Sequence, residues 1–398
     1  SDVTSWAVDA SGNWETETNW SPKKVPSGPK AKALLGSKIT APRVVTLTAT
    51  KTVKALSFNA AFAYTLAGSA LTVPAISVKG TGIPVISAPL VGTAGLSVSV
   101  DNSATISGAI SGTTLTKTGA GTLTVSGSNA YSGNTIISAG TLKVGALATL
   151  PVATMIMGPG TLDITGFNTT IGCLGDNTSI TLGAATLTID CATAATFTGV
   201  ISGTGSVVKA GVGTQTIAAT QTFTGGLTIN AGTIKLGSVD PLATVDVTFA
   251  DVASATLDLN GVSETIGSLI GGGPTGGTVT STNGACTLTF GDADNDTFAG
   301  RIRDTLSVVK VGAGNYTLSG ANDYTGTTAI NVGTIITGAN NALPTTSVIT
   351  TANTAGAGLT IGAFTQSIVS IAGGGATGGG AAGTGGGADQ MARLIQGI

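Results

Sequence analysis

Three stretches of this 398-residue chain repeat one another, and that periodicity constrains the fold more than any other feature. Residues 107–151, 199–242 and 298–344 align with Lys117, Lys209 and Lys310 in step, then Gly119, Gly211 and Gly312, then Tyr131, Phe223 and Tyr324, then Gly140, Gly232 and Gly333. Lys117 and Lys209 are 92 residues apart and Lys209 and Lys310 are 101 apart, so the long repeat is near 100 residues. A second module lies between the copies, in TLDITGFNTTIGCLG at 161–175, TLDLNGVSETIGSLIG at 256–271 and a worn LTIGAFTQSIVSIAG at 359–373. A fixed period of this kind describes a stack of units, each burying a face only against its neighbours.

Each repeat holds several short alternating runs, such as Thr-Leu-Thr-Val at 122–125 and Thr-Ile-Lys-Leu at 233–236. The alternation predicts strands with Leu, Ile and Val inward and Thr, Ser and Lys outward, and Gly and Asn turn the corners. A parallel β-solenoid and a row of separate sandwiches both suit a period near 100. Sandwich cores need large residues, yet aromatics are only 4% of the chain, so the reading is all-β and a single parallel β-solenoid. Charged residues are 9% and hydrophobic residues 41%, which leaves enough apolar surface for a long core and little charge to oppose collapse. The expected division is a Trp-rich cap at 1–40, the solenoid at 41–372, and a Gly-rich linker and docking tail at 373–398.

Zero histidines exclude a Ser-His-Asp triad, a histidine acid/base and a histidine metal site. What remains for an enzyme is a carboxylate pair or a calcium-assisted lyase. Asp292, Asp294 and Asp296 alternate in GDADNDTFAG, a pattern that can converge on Ca²⁺. The sixth position is Thr297 and the twelfth Arg303, so a solvated turn is the stronger reading and no cofactor is expected. Asp163 and Asp258 hold equivalent strand positions and offer a catalytic pair, against the plainer reading of a residue recurring once per structural unit. Repetition likewise makes Tyr131, Phe223 and Tyr324 stacked core or corner aromatics ahead of sugar platforms. Cys173 and Cys191 are 18 residues apart, close to one coil, where a strand spacing of about 4.8 Å admits a disulfide; two buried thiols are the alternative.

The segments GAGTLTVSGSNAYSGNTIISAGTLKVG and GAGNYTLSGANDYTGTTAINVGTIITG resemble the autotransporter-associated β-strand repeat, also called the passenger-associated transport repeat. The 199–242 copy departs from it, with Ala-Ala-Thr-Gln where Ser-Gly-x-Asn would stand. Trp6, Gly12-Asn13-Trp14, Asn19-Trp20 and Pro26 resemble the Trp-rich leader that often precedes such repeats. The resemblance implies a right-handed β-helix exported to the cell surface. It implies no activity, since family members include adhesins and proteins of unknown role. The barrel that ends an autotransporter is not encoded in these residues, so the expectation is either a passenger whose barrel has been removed or a free-standing secreted protein.

The two ends carry the remaining expectations. Trp6, Trp14 and Trp20 are read as a cap on the first rung, with carbohydrate stacking as the rival. Residues 1–80 hold nine basic and four acidic side chains, and residues 240–323 hold three basic and ten acidic, a polarity that would steer copies head to tail. After the glycine linker, Met391, Leu394, Ile395 and Ile398 are spaced as one face of a short helix, too short to fold alone, and are expected to dock on the next protomer. The chain opens with Ser-Asp-Val, read as a product from which a signal peptide has been removed. The expected protein is thus an extracellular, non-enzymatic surface fibre subunit. Its partners would be itself and surface glycans, with no nucleic acid and no membrane span. The alternative is a monomeric adhesin or a polysaccharide-acting β-helix, for which 271–300 is the candidate loop.

Overall fold

The computed structural model describes residues 3–152, 154–238, 240–242, 244–374 and 381–382. These residues are all-β apart from one 3-10 turn at Glu17–Asn19. They form parallel β-solenoid, divided into two compact units: residues 1–190 with 198–202, and residues 191–197 with 203–398.

Three parallel sheets account for most of the first unit. One includes Lys32–Leu35, Ala55–Phe58, Ala75–Val78, Leu96–Val100, Leu115–Thr118 and Thr135–Ile137. The second includes Arg43–Leu47, Tyr64–Gly68, Val85–Ile86, Ser103–Ile106, Thr122–Val125 and Thr141–Val144, and the third is the short set Lys51–Thr52, Leu71–Thr72, Leu90–Gly92 and Ile110–Gly112. In the second unit the corresponding sheets include Val207–Ala210, Leu227–Ile229 and Val247–Phe249; Thr214–Ile217, Thr233–Leu236 and Thr256–Asp258; and Cys286–Phe290, Leu306–Lys310 and Thr328–Ile330.

Register explains why the sequence alternates as it does. Parallel pairing stacks like on like, so Val45, Leu66, Ile86, Ile106, Val125 and Val144 form one buried column. Each such side chain contributes about 1.5–3 kcal/mol by leaving water. The outward column of the same sheet is Ser103, Thr122, Thr141 and Thr161, β-branched or small hydroxyl residues that tolerate solvent and suit a strand. A slip of one residue would exchange the two columns, which fixes the register strongly.

One prediction fails here. Lys143 and Lys235 lie on the outward side, but Lys117, Lys209 and Lys310 point inward and are buried. Lys117 stands in a column with Leu56, Ile76, Val98 and Ile137, and Lys310 stands between Phe290 and Ile330.

Candidate functional site

The three lysines define the feature that each repeat builds in the same way. Lys117 Nζ donates to the carbonyls of Thr118 at 2.7 Å, Gly119 at 2.8 Å and Ala139 at 3.2 Å. Lys310 Nζ donates to those of Val311 at 2.5 Å, Gly312 at 2.8 Å and Val332 at 3.3 Å. Lys209 repeats the set with Ala210, Gly211 and Ala231. An ammonium has three donors and no acceptor, so three carbonyls saturate it. The strand ends in a turn whose carbonyls face inward, and the lysine satisfies two of them while tying down a third on the next rung. Burial pushes the Lys117 ammonium down to about 8, still above neutral pH, so it stays charged. Burial also lowers Lys310, opposed by the charge of Asp292.

The socket needs a glycine on its far side. Gly140, Gly232 and Gly333 have φ of 66°, 67° and 69°. A Cβ at Gly333 would lie 2.5 Å from the Gly312 carbonyl oxygen, 2.6 Å from that of Gly314 and 2.8 Å from Lys310 Nζ. Gly333→Ala is therefore expected to cost about 2–4 kcal/mol, from overpacking together with a left-handed backbone. Hydrogen exchange across 306–337 checks it, and unchanged protection would contradict the socket geometry.

The Asn-x-Tyr centre of the repeat is also structural. Asn322 Oδ1 accepts from the Ile302 amide at 2.7 Å and its Nδ2 donates to the Ala342 carbonyl at 2.7 Å, linking the rung before to the rung after. Asn129 accepts from the Ile110 amide at 2.8 Å in the same manner. Two residues on, the buried Tyr131 and Thr135 hydroxyls share a 2.6 Å hydrogen bond, and those of Tyr324 and Thr328 share one of 2.7 Å. The middle copy changes both partners together: Phe223 has no hydroxyl, and Leu227 replaces the threonine. Burial pushes Tyr131 and Tyr324 up to about 12, so both remain neutral hydroxyls. Such enclosed rings present no platform to a sugar.

The other predicted residues fall as follows. Trp6, Trp14 and Trp20 are buried together, Trp20 packing edge-on against Trp6 at 5.1 Å and Trp14 at 4.8 Å. Their ring faces are not open for stacking on carbohydrate. Asp292 Oδ1 accepts from the Asp294 amide at 2.8 Å, which shapes a turn. Asp292 and Asp296 face Asp246, whose carboxyl is raised by burial first and by these two charges next. Among the described residues no group of three carboxylates or thiols converges as metal ligands. Asp258 accepts from the Asn260 amide at 2.8 Å and from the Thr282 amide at 3.0 Å, with Lys235 Nζ 3.8 Å away. Asp163 accepts from the Thr165 amide at 2.9 Å and pairs in register with Lys143. Each aspartate is thus engaged within its own turn and beside a lysine of the preceding rung. Cys173 and Cys191 are disulfide-bonded, whereas Cys286 is a buried free thiol. Met391, Leu394, Ile395 and Ile398 lie outside the described residues.

The candidate loop at 271–300 contributes to a shallow cleft of about 620 Å³, lined by Gly273, Pro274, Gly300, Arg301, Gly320 and Asp323 among others. Arg301 Nε donates to Asp323 Oδ1 at 2.8 Å, and the second guanidinium nitrogen bonds Asp323 Oδ2. Both side chains are about half exposed, 48% and 47%, so donors and acceptors stand side by side at the cleft wall. No pair of free carboxylates faces this cleft among the residues that line it.

The comparisons agree with the repeat geometry. The passenger-associated transport repeat matches residues 115–144, 207–236 and 308–341, each beginning within two residues of a socket lysine. The adhesin BmaC autotransporter of Brucella suis biovar 1 (strain 1330) is 37% identical over 227 residues, which are 53% of this chain. The matched region spans only 6% of that adhesin's length. No solved structure matches the chain significantly. Three inward lysines, each bonded to three equivalent carbonyls, coincide with three family matches: the chain is a parallel β-solenoid that carries three passenger-associated transport repeats.

Proposed function

We propose that this chain is an extracellular, non-enzymatic β-helical passenger segment of an adhesin-type surface protein. One observation carries the reading. The chain shares 37% identity over 227 residues with an autotransporter adhesin, and its repeated residues are spent inward, on sockets and bridges between rungs. Residues that recur for packing leave recognition to the irregular outer surface, where sequence is free to vary. The cleft at Arg301 and Asp323 is the proposed contact for neutral surface glycans, since a guanidinium beside a carboxylate offers paired donors and acceptors to vicinal hydroxyls. The role needs no cofactor.

The test is binding of the purified full chain to a panel of immobilised polysaccharides. Saturable binding that falls at least tenfold in Arg301→Ala and Asp323→Ala, with the fold intact by circular dichroism, is expected. Binding to no glycan, or binding unaffected by either change, would overturn the assignment of the cleft.

Head-to-tail assembly is a second reading, favoured by the charge of +5 over residues 1–80 and −7 over 240–323. The amino-terminal sheet ends in Trp20–Ser21 pairing antiparallel with Val3–Trp6, so simple stacking of parallel edges is blocked there. Tail docking on the next copy is the proposed route of polymerisation. Negative-stain images of the chain with and without residues 373–398 separate the readings: tail-dependent fibres favour the filament, and isolated particles in both favour the passenger.

A further inference from the structure

Two corners of the second unit, one repeat apart, have the same hydrogen-bond design but differ in two atoms. In the later copy, Gln366 Oε1 accepts from the Leu343 amide at 3.1 Å and its Nε2 donates to the Ala339 carbonyl at 2.6 Å. Asn341 Oδ1 accepts from the Ser367 amide at 3.0 Å, with Asn341 at φ 49°. In the earlier copy, Glu264 Oε1 accepts from the Leu242 amide at 3.1 Å, and Asp240, at φ 48°, accepts from the Thr265 amide at 3.3 Å. Both amides of the later copy are therefore carboxyls in the earlier one.

The exchange matters because the site is enclosed. Glu264 is 2% exposed and Gln366 is fully buried. Where Gln366 has a donating NH₂, Glu264 has Oε2, which has no partner donor among the described residues and lies beside the Asp240 carboxyl. A buried carboxylate beside a second, exposed carboxyl is disfavoured in its charged form, and a protonated Oε2 restores the donor that the amide supplies in the other copy. We propose that Glu264 holds a proton in the closed corner, making this corner a pH-sensitive opening point, while the Asn341–Gln366 corner is its pH-insensitive counterpart.

The direction follows from linkage. Burial first, and the Asp240 charge next, push the Glu264 carboxyl from 4.5 up to about 8, while the Leu242 amide opposes them. Between those values the closed corner binds more protons than the open one, so its stability is full below about 4.5 and declines as pH rises toward 8. Asp240 is the charged group that faces Glu264, and no basic side chain offsets it in that balance.

Hydrogen exchange on the intact full chain tests this with its own reference, because the segments 240–267 and 341–369 can be followed together. Between pH 5 and 8 the protection of 240–267 relative to 341–369 should fall by up to about tenfold per pH unit. Glu264→Gln should flatten that ratio, and Asp240→Asn should end its decline at lower pH without abolishing folding. Equal pH dependence in both segments, or an unaltered slope in Glu264→Gln, would overturn the proposal. So would restoration of protection at pH 8 by millimolar Ca²⁺ in wild type alone, which would make the pair a cation site.

Discussion

Lys310→Met lowers the stability of its repeat by about 3 kcal/mol, although methionine matches the lysine side chain up to its Nζ and raises the hydropathy of a buried position. The native ammonium saturates the carbonyls of Val311, Gly312 and Val332. Hydrogen bonds to a charged group are worth roughly 1.5–3 kcal/mol each, and buried acceptors left without a donor lose about 1–3 kcal/mol. Against that, methionine removes the cost of holding a charge out of water, which the lowered Lys310 pKa expresses. Three carbonyls outweigh one desolvated ammonium, and the net is a loss of the stated size. Because solenoid repeats open locally, the readout is amide exchange across 306–337, with the untouched Lys117 socket at 115–144 as reference. Protection of 306–337 equal to wild type would mean that the lysine is a tolerated passenger in the column and not its tie.

That lysine also shows how far the sequence can be read. The alternation, the glycine corners and the repeat length are legible because a parallel solenoid stacks identical roles at identical positions, and each role has a residue type that fits it. Chemical type alone sends every lysine outward, and this is where the reading fails. The correct signal was phase. Leu115, Val207 and Val308 each stand two residues before a repeat lysine, so period two places Lys117, Lys209 and Lys310 on the buried side; Lys143, flanked by Leu142 and Val144, has the opposite phase. The Gln221 position similarly reads as a departure from Asn, yet Gln221 is buried and donates to the Ala219 carbonyl at 2.6 Å. The Arg301–Asp323 cleft was not legible, because it joins residues 22 apart through rung register and no local pattern marks it. Glu264 was equally hidden, and only comparison with Gln366 in the worn copy exposes what its position requires.

Trp20→Ala should release the amino-terminal cap while leaving the later rungs folded. Trp20 is 1% exposed, and its indole donates to the Trp14 carbonyl at 2.7 Å; the Trp14 indole in turn donates to the Pro26 carbonyl at 3.0 Å. Truncating a buried tryptophan costs about 3–5 kcal/mol, and Asp9, which holds Thr40 and Arg43, still ties the loosened segment to the next rung. The same residue pairs antiparallel with Trp6, closing the edge of Val3–Trp6. Removing the ring weakens that closure and exposes a parallel edge able to recruit other chains. All three tryptophans lie in the cap, so emission should shift to the red as the cap loosens, and light scattering should rise with concentration. Far-ultraviolet circular dichroism should change little, since each rung depends chiefly on its neighbours. If the rungs beyond Arg43–Leu47 lose their strand signal together with the cap, the tryptophans are a nucleus for folding the unit instead of a lid over a stack that stands without them.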